Sequence, residues 1–121
     1  MKVLIVDDED LIREVTKLSL EAGGHDVLEA EDGPAGVLLA EAERPDVILL
    51  DRQMPGMDGL ATLSALRGRP ATAMIPVVFL SAGSGGDYAK ELIALGAAGV
   101  LEKPFDPMGL SAALAAVLEG N

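Results

Sequence analysis

Residues 46–50 read DVILL, a continuous apolar run behind one aspartate, and residue 51 is aspartate again. The run is too short for an ordinary helix. Its branched, unalternating residues suit a strand buried on both faces, as in a parallel sheet covered by helices on either side. Similar short runs recur outward from it. Lys2 to Val6 (KVLIV) and Asp26 to Ala30 (DVLEA) precede it, and Ile75 to Leu80 (IPVVFL) and Ala98 to Leu101 (AGVL) follow. Five such strands alternating with helix-length segments predict an α/β domain with right-handed crossovers.

The helices are delimited by their own signals. From about Glu9 to Gly23, Leu11, Val15, Leu18 and Ala22 recur at steps of three and four, which predicts an inward stripe, with Ile12, Thr16 and Ser19 on the neighbouring flank. Gly23-Gly24 stops that helix. Asp32 is a candidate cap with Pro34 just inside a helix running to about Glu43, and Asp58 caps another through about Arg67. Further helices are expected at about Tyr88–Leu95 and Met108–Leu118. With no repeat and no linker, residues 1–121 are expected to form one domain.

Composition narrows the function. Twenty acidic residues against nine lysines and arginines give a net charge of -11, beyond the magnitude of about 2 to 8 usual for a small domain. Such a field argues against nucleic acid or an anionic membrane as direct ligand and favours cations or basic protein surfaces. One tyrosine, two phenylalanines and no tryptophan leave little with which to stack a flavin or a base. No cysteine, signal peptide or 18-residue apolar run is present, so the expected compartment is the cytoplasm.

The acids are not scattered. In an open parallel sheet, ligands bind outside the carboxyl ends of the strands. The first predicted strand ends at Asp7 and Asp8, the third at Asp51, the fourth at Ser81, and the fifth just before Lys103. Converging carboxylates there form an oxygen site for a small divalent cation such as Mg²⁺, and that cation explains the otherwise repulsive run Asp7-Asp8-Glu9-Asp10. A lysine and a serine hydroxyl on the same rim suit a phosphoryl oxygen, so the set suggests phosphoryl transfer to an aspartate.

With VDDED near the start, DRQMPGMDG around Asp51, FLSAG around Ser81 and LEKPF around Lys103, essentially the whole chain resembles the receiver domain of two-component response regulators. The resemblance implies a flavodoxin-like, doubly wound five-stranded parallel sheet in the order 2-1-3-4-5. It implies Asp51 as phosphoacceptor and Mg²⁺ as cofactor. Asp8 and Asp51 would bind the ion directly, Asp7 mainly through water, and Gln53 through its backbone carbonyl. Ser81 and Lys103 take the phosphoryl-binding and switch positions, and the bond from Lys103 to Pro104 is expected to be cis. The implied donor is a histidine kinase or a histidine phosphotransfer protein, docking near the first helix, where Ile12 is a candidate contact. The implied output is a change in the face made by helix four, strand five and helix five, sensed by a downstream protein or output domain.

The sequence departs from the family pattern at Val100, where many members carry an aromatic switch residue. The resemblance implies that Gln53 and Gly83 hold the two positions that tune the lifetime of the phosphoryl group. The glycine-rich stretch GSGGD makes the loop before helix four easily rearranged but entropically unfavourable to order. His25 reads as a surface turn residue, and Met54 and Met57 as loop anchors.

Two rivals stand beside this reading. One is a pseudo-receiver that is never phosphorylated and acts only as a protein-binding module. The other is a Mg²⁺-dependent aspartyl phosphatase, which would be a true turnover enzyme; such enzymes generally place a carboxylate two residues after the nucleophile, where this chain has Gln53. The sequence leaves open a homodimer through helices four and five. It also leaves open whether the receiver stands alone or belongs to a larger regulator or a hybrid kinase.

Overall fold

The run at 46–50 is the core of a central strand. A computed structural model of the chain describes residues 1–52, 54, 56–81, 86–102 and 106–119. The elements follow in order: β1 (Lys2–Val6), α1 (Asp10–Ala22), β2 (Asp26–Ala30), α2 (Gly33–Glu43), β3 (Val47–Asp51), α3 (Gly59–Arg67), β4 (Val77–Ser81), α4 (Gly86–Ala94), β5 (Gly99–Glu102) and α5 (Leu110–Glu119). The strands form one parallel sheet in the order β2-β1-β3-β4-β5, as expected.

Strand alternation divides the core into two layers. Leu4, Val6, Ile48, Leu50, Val77 and Phe79 pack with Val37 and Ala40 of α2, Leu63 and Leu66 of α3, and Leu92 of α4. Val3, Ile5, Val47, Leu49, Val78 and Leu80 pack on the opposite face with Leu20 of α1 and Leu110 and Leu114 of α5. All residues of β3 and β4 are buried. Their buried apolar side chains supply the main driving force for the fold, of order 2 kcal/mol each.

Two helices start where the sequence signals placed them. The Asp32 carboxylate accepts the Ala35 amide at 2.8 Å, and the Asp58 carboxylate accepts the Ala61 amide at 2.9 Å. Each thereby satisfies one of the orphan donors of a helix N-terminus. Met54 is buried in the α2–α4 layer, consistent with an anchoring role. His25 lies in the turn before β2, its Nδ1 3.1 Å from the terminal amine.

The predicted stripe of α1 is incorrect. Leu11 and Leu18 are 73% and 56% exposed and Ala22 is exposed, whereas Thr16 and Leu20 are fully buried. Thr16, expected on the flank neighbouring that stripe, instead faces the core. Its hydroxyl donates to the Ile12 carbonyl at 2.6 Å within the helix, so it enters the core without an unsatisfied donor. Strand β4 begins two residues later than predicted, because Pro76 has no amide to give and only its carbonyl joins the sheet, accepting the Ile48 amide at 2.9 Å. Helix α4 begins at Gly86, ahead of the expected Tyr88. Among the described residues no helix is long and apolar enough to cross a membrane.

Candidate functional site

The carboxyl ends of β1 and β3 bring the predicted acids together. Asp7 continues the alternation of Val3 and Ile5, and Asp51 that of Val47 and Leu49, so both belong to the α1/α5 side of two adjacent strands. Asp8 lies one residue further along the loop. One carboxylate oxygen from each of Asp7, Asp8 and Asp51 lies within 4.8 Å of the others. Asp7 is fully buried, Asp51 is 4% exposed, and Asp8 faces solvent.

This placement is electrostatically unfavourable alone. Two unit negative charges at such spacing repel by about 3 kcal/mol at an effective dielectric near 20. A divalent cation reverses the sign, and three carboxylate oxygens, one of them on the exposed Asp8, match a hard cation that retains several waters. The donor set therefore fits Mg²⁺. The cluster is typical of the Mg²⁺-binding phosphorylation site of receiver domains.

Asp7 is fixed on every side. Its amide donates to the Ala30 carbonyl at 3.1 Å, its Oδ1 accepts the Glu9 amide at 2.9 Å, and its carbonyl accepts Nη1 of Arg13 at 2.8 Å. Arg13 was not among the predicted site residues. The hydrogen bond it donates to Asp10, aided by the charges of Asp10, Glu29 and Glu31, raises the pKa of its guanidinium above the ordinary value against the opposing effect of burial. A cation five residues after the acidic pair is the one signal the sequence offered. The Glu29 contact comes from β2 and was not readable locally.

Asp51 is held by the turn that follows it. The Arg52 amide donates to the Leu80 carbonyl at 3.2 Å, and the Arg52 carbonyl accepts the Gly59 amide at 3.0 Å, so α3 starts directly against the end of β3. Gly36 on α2 allows a comparable approach to β1: a Cβ there would stand 2.7 Å from a methyl of Val6.

Ser81 ends β4, 4% exposed, one position beyond the Leu80 that pairs with Asp51, and it pairs with Glu102, the last residue of β5. Val100 is half-buried, pairs with Phe79 and packs on the α2–α4 layer. Ile12 is half-buried in the first turn of α1. Gln53, Gly83, Lys103 and Pro104 lie outside the described residues.

Comparison with known proteins agrees with this geometry. The family model described as the response regulator receiver domain matches residues 3–115. The chain is 37% identical over 118 residues to the alkaline phosphatase synthesis transcriptional regulatory protein PhoP of Bacillus subtilis, covering 97% of this chain and 48% of that protein. It is 43% identical over 122 residues to the nitrate/nitrite response regulator protein NarP of Escherichia coli, covering 99% of this chain and 56% of that protein. The chain thus spans about half the length of these curated relatives. Among solved structures, the chemotaxis response regulator CheY4 of Vibrio cholerae superposes with a TM-score of 0.89 at 36% identity, covering 97% of this chain and 98% of that one. Similar receiver domains act as phosphorylation switches rather than as turnover enzymes. With its fold, its acidic cluster and a family match over nearly its full length, the chain belongs to the response regulator receiver domain family of two-component signalling systems.

Proposed function

We propose that the chain is a phosphoacceptor switch in which Asp51 takes a phosphoryl group from a phosphohistidine of a histidine kinase or a phosphotransfer protein. The convergence of Asp7, Asp8 and Asp51 carboxylates at one sheet edge carries this reading. An Asp51 oxygen attacks phosphorus, a P–O bond forms, the P–N bond breaks, and the imidazole retains the electron pair. Bound at Asp7, Asp8, Asp51 and the Gln53 carbonyl, Mg²⁺ would supply charge neutralisation for the phosphoryl oxygens. Fixed by its neighbours, Asp7 keeps the acidic rim in place, and near-complete burial of the Asp51 side chain holds the accepting carboxylate beside it.

The remaining roles belong to the same proposal. Ser81 donates its hydroxyl to a phosphoryl oxygen, Lys103 pairs with the phosphorylated aspartate, Pro104 follows a cis bond, and Gln53 with Gly83 sets the lifetime. Residues 1–121 act as one receiver domain, in the cytoplasm. Ile12, beside the exposed Leu11, forms part of the docking face for the phosphodonor. The signal leaves through α4, β5 and α5 to an output partner. Incubation with Mg²⁺ and acetyl phosphate, read by intact mass, should add one phosphoryl group to the unaltered chain and none to Asp51→Ala. Retention of the added mass in the variant would overturn the assignment.

A second reading, the unphosphorylated binding module, draws on Val100, which is aliphatic at a position where many receivers use an aromatic to report the switch. It predicts no added mass in the unaltered chain.

A further inference from the structure

We infer that Arg13 is a positioning residue for cation binding: it clamps the turn that carries Asp8, and Glu29 on the edge strand holds the clamp. This rests on the reading of Asp7, Asp8 and Asp51 as a Mg²⁺ site. The guanidinium reaches three elements at once. Its Nη1 donates to the Asp7 carbonyl at the end of β1 at 2.8 Å, its Nη2 donates to Asp10 Oδ1 at the start of α1 at 2.7 Å, and its Nε lies 3.5 Å from Glu29 Oε1 on β2. Glu29 is steadied by Lys17 one turn further along α1, with Nζ 3.4 Å from its other oxygen. The Arg13 side chain is only 15% exposed, unlike the 88% exposed Asp10.

Asp8 lies inside the loop that this guanidinium brackets. Among the described residues no hydrogen bond holds its side chain, so its direction is set by the backbone between Asp7 and Asp10. Bridging those two residues fixes the turn before an ion arrives, and a ligand set ordered in advance loses less entropy on binding. The planar fork suits this task, because it addresses a carbonyl and a carboxylate from separate nitrogens in fixed directions, whereas an ammonium offers one point charge.

A cation beside a metal site ordinarily opposes the metal. Here Asp10 and Glu29 compensate the guanidinium, so the clamp adds rigidity without adding a repulsive net charge. Glu29 therefore acts on the site through Arg13. It is not expected to touch the ion.

The test is Mg²⁺ affinity by titration calorimetry on the full chain, with the thermal midpoint recorded separately without Mg²⁺. Arg13→Lys keeps the charge and loses the fork; it should weaken Mg²⁺ binding roughly tenfold, the lower end for loss of an outer partner of a metal site. Arg13→Gln should also weaken it, where a purely electrostatic role requires tighter binding once the positive charge is gone. Glu29→Gln leaves every direct contact of Arg13 with β1 and α1 intact and should weaken binding about threefold, a fraction of that outer-partner effect. Glu14→Gln, at an exposed acid on the same helix, removes equal charge without touching the clamp and should change binding less. Should Arg13→Lys fail to fold, Glu29→Gln against Glu14→Gln decides alone. A lower midpoint with unchanged Mg²⁺ affinity in Arg13→Lys and Glu29→Gln would reduce Arg13 to a structural residue and overturn the inference. No Mg²⁺ binding by the unaltered chain would instead remove the site reading, and this inference with it.

Discussion

Gly59, the first residue of α3, lies against the backbone of Asp51, with no room for a side chain between them. A Cβ on Gly59 would stand 2.7 Å from the Asp51 carbonyl oxygen, 2.7 Å from the Arg52 α-carbon and 2.9 Å from the Phe79 ring. Two of these neighbours are backbone, so the helix or the acceptor must shift. Gly59→Ala is expected to lose about 1–3 kcal/mol of stability, the usual result of overpacking a close contact, and to slow Asp51 phosphorylation. Urea unfolding and a time course of intact mass with acetyl phosphate measure the two effects; an unchanged chain on both counts would show that α3 is free to move.

Repulsion within the acidic cluster should be visible in stability. Asp7→Asn keeps an oxygen for the Glu9 amide and removes one buried negative charge, so its thermal midpoint without Mg²⁺ should exceed that of the unaltered chain. Mg²⁺ at one hundred times its dissociation constant should stabilise the unaltered chain by about 2.7 kcal/mol through linkage, and Asp7→Asn by much less. Calorimetric scans with and without Mg²⁺ test both. Equal gains in the two proteins would show that Asp7 takes no part in binding the ion.

The buried face of α1 gives a sharp contrast between leucines of one helix. Leu20→Ala should cost about 2–5 kcal/mol, as expected for a fully buried site. Leu11→Ala and Leu18→Ala should stay within about 0.5 kcal/mol of the unaltered chain. Chemical denaturation of the three variants decides, and a large loss for Leu11 or Leu18 would restore the stripe read from spacing.

Among the described residues, Arg67 ties two turns together through carbonyls and no carboxylate. Its Nη1 donates to the Ile75 carbonyl at 2.8 Å and its Nη2 to the Gly96 carbonyl at 3.0 Å, joining the end of α3 to the approach to β4 and to the turn between α4 and β5. Burial lowers the pKa of this guanidinium, since the charged form is the one that loses water. It remains charged across physiological pH, so no pH dependence is expected from it there. Arg67→Met retains most of the aliphatic stem but strands the part-buried Ile75 carbonyl, while water can reach the exposed Gly96 carbonyl, and should cost about 1 kcal/mol. Amide exchange near residues 95–97 should speed up more than exchange in β1, and uniform acceleration would point to global destabilisation alone.

Local signals settled the sheet and the acidic rim. Short apolar runs, each ended by polar residues, mark parallel strands because such strands are buried on both sides, and the carboxyl ends of those strands share an edge by topology. Asp7, Asp8, Asp51 and Ser81 could thus be assigned to that edge from DVILL and its counterparts. The caps at Asp32 and Asp58 were legible for a similar reason, being contacts between residues three apart.

Tertiary structure decided which face of α1 is inward and what steadies the rim. Spacing gave Leu11 and Leu18 an inward role, but burial depends on what lies opposite, and Thr16 satisfies its hydroxyl within its own helix. Arg13 meets Asp10 locally but Glu29 only because β2 pairs with β1, and Gly59 reaches Asp51 only because α3 folds back on the strand before it. Contacts between segments distant in sequence arise from packing, and no periodicity along one segment encodes the surface another will present to it.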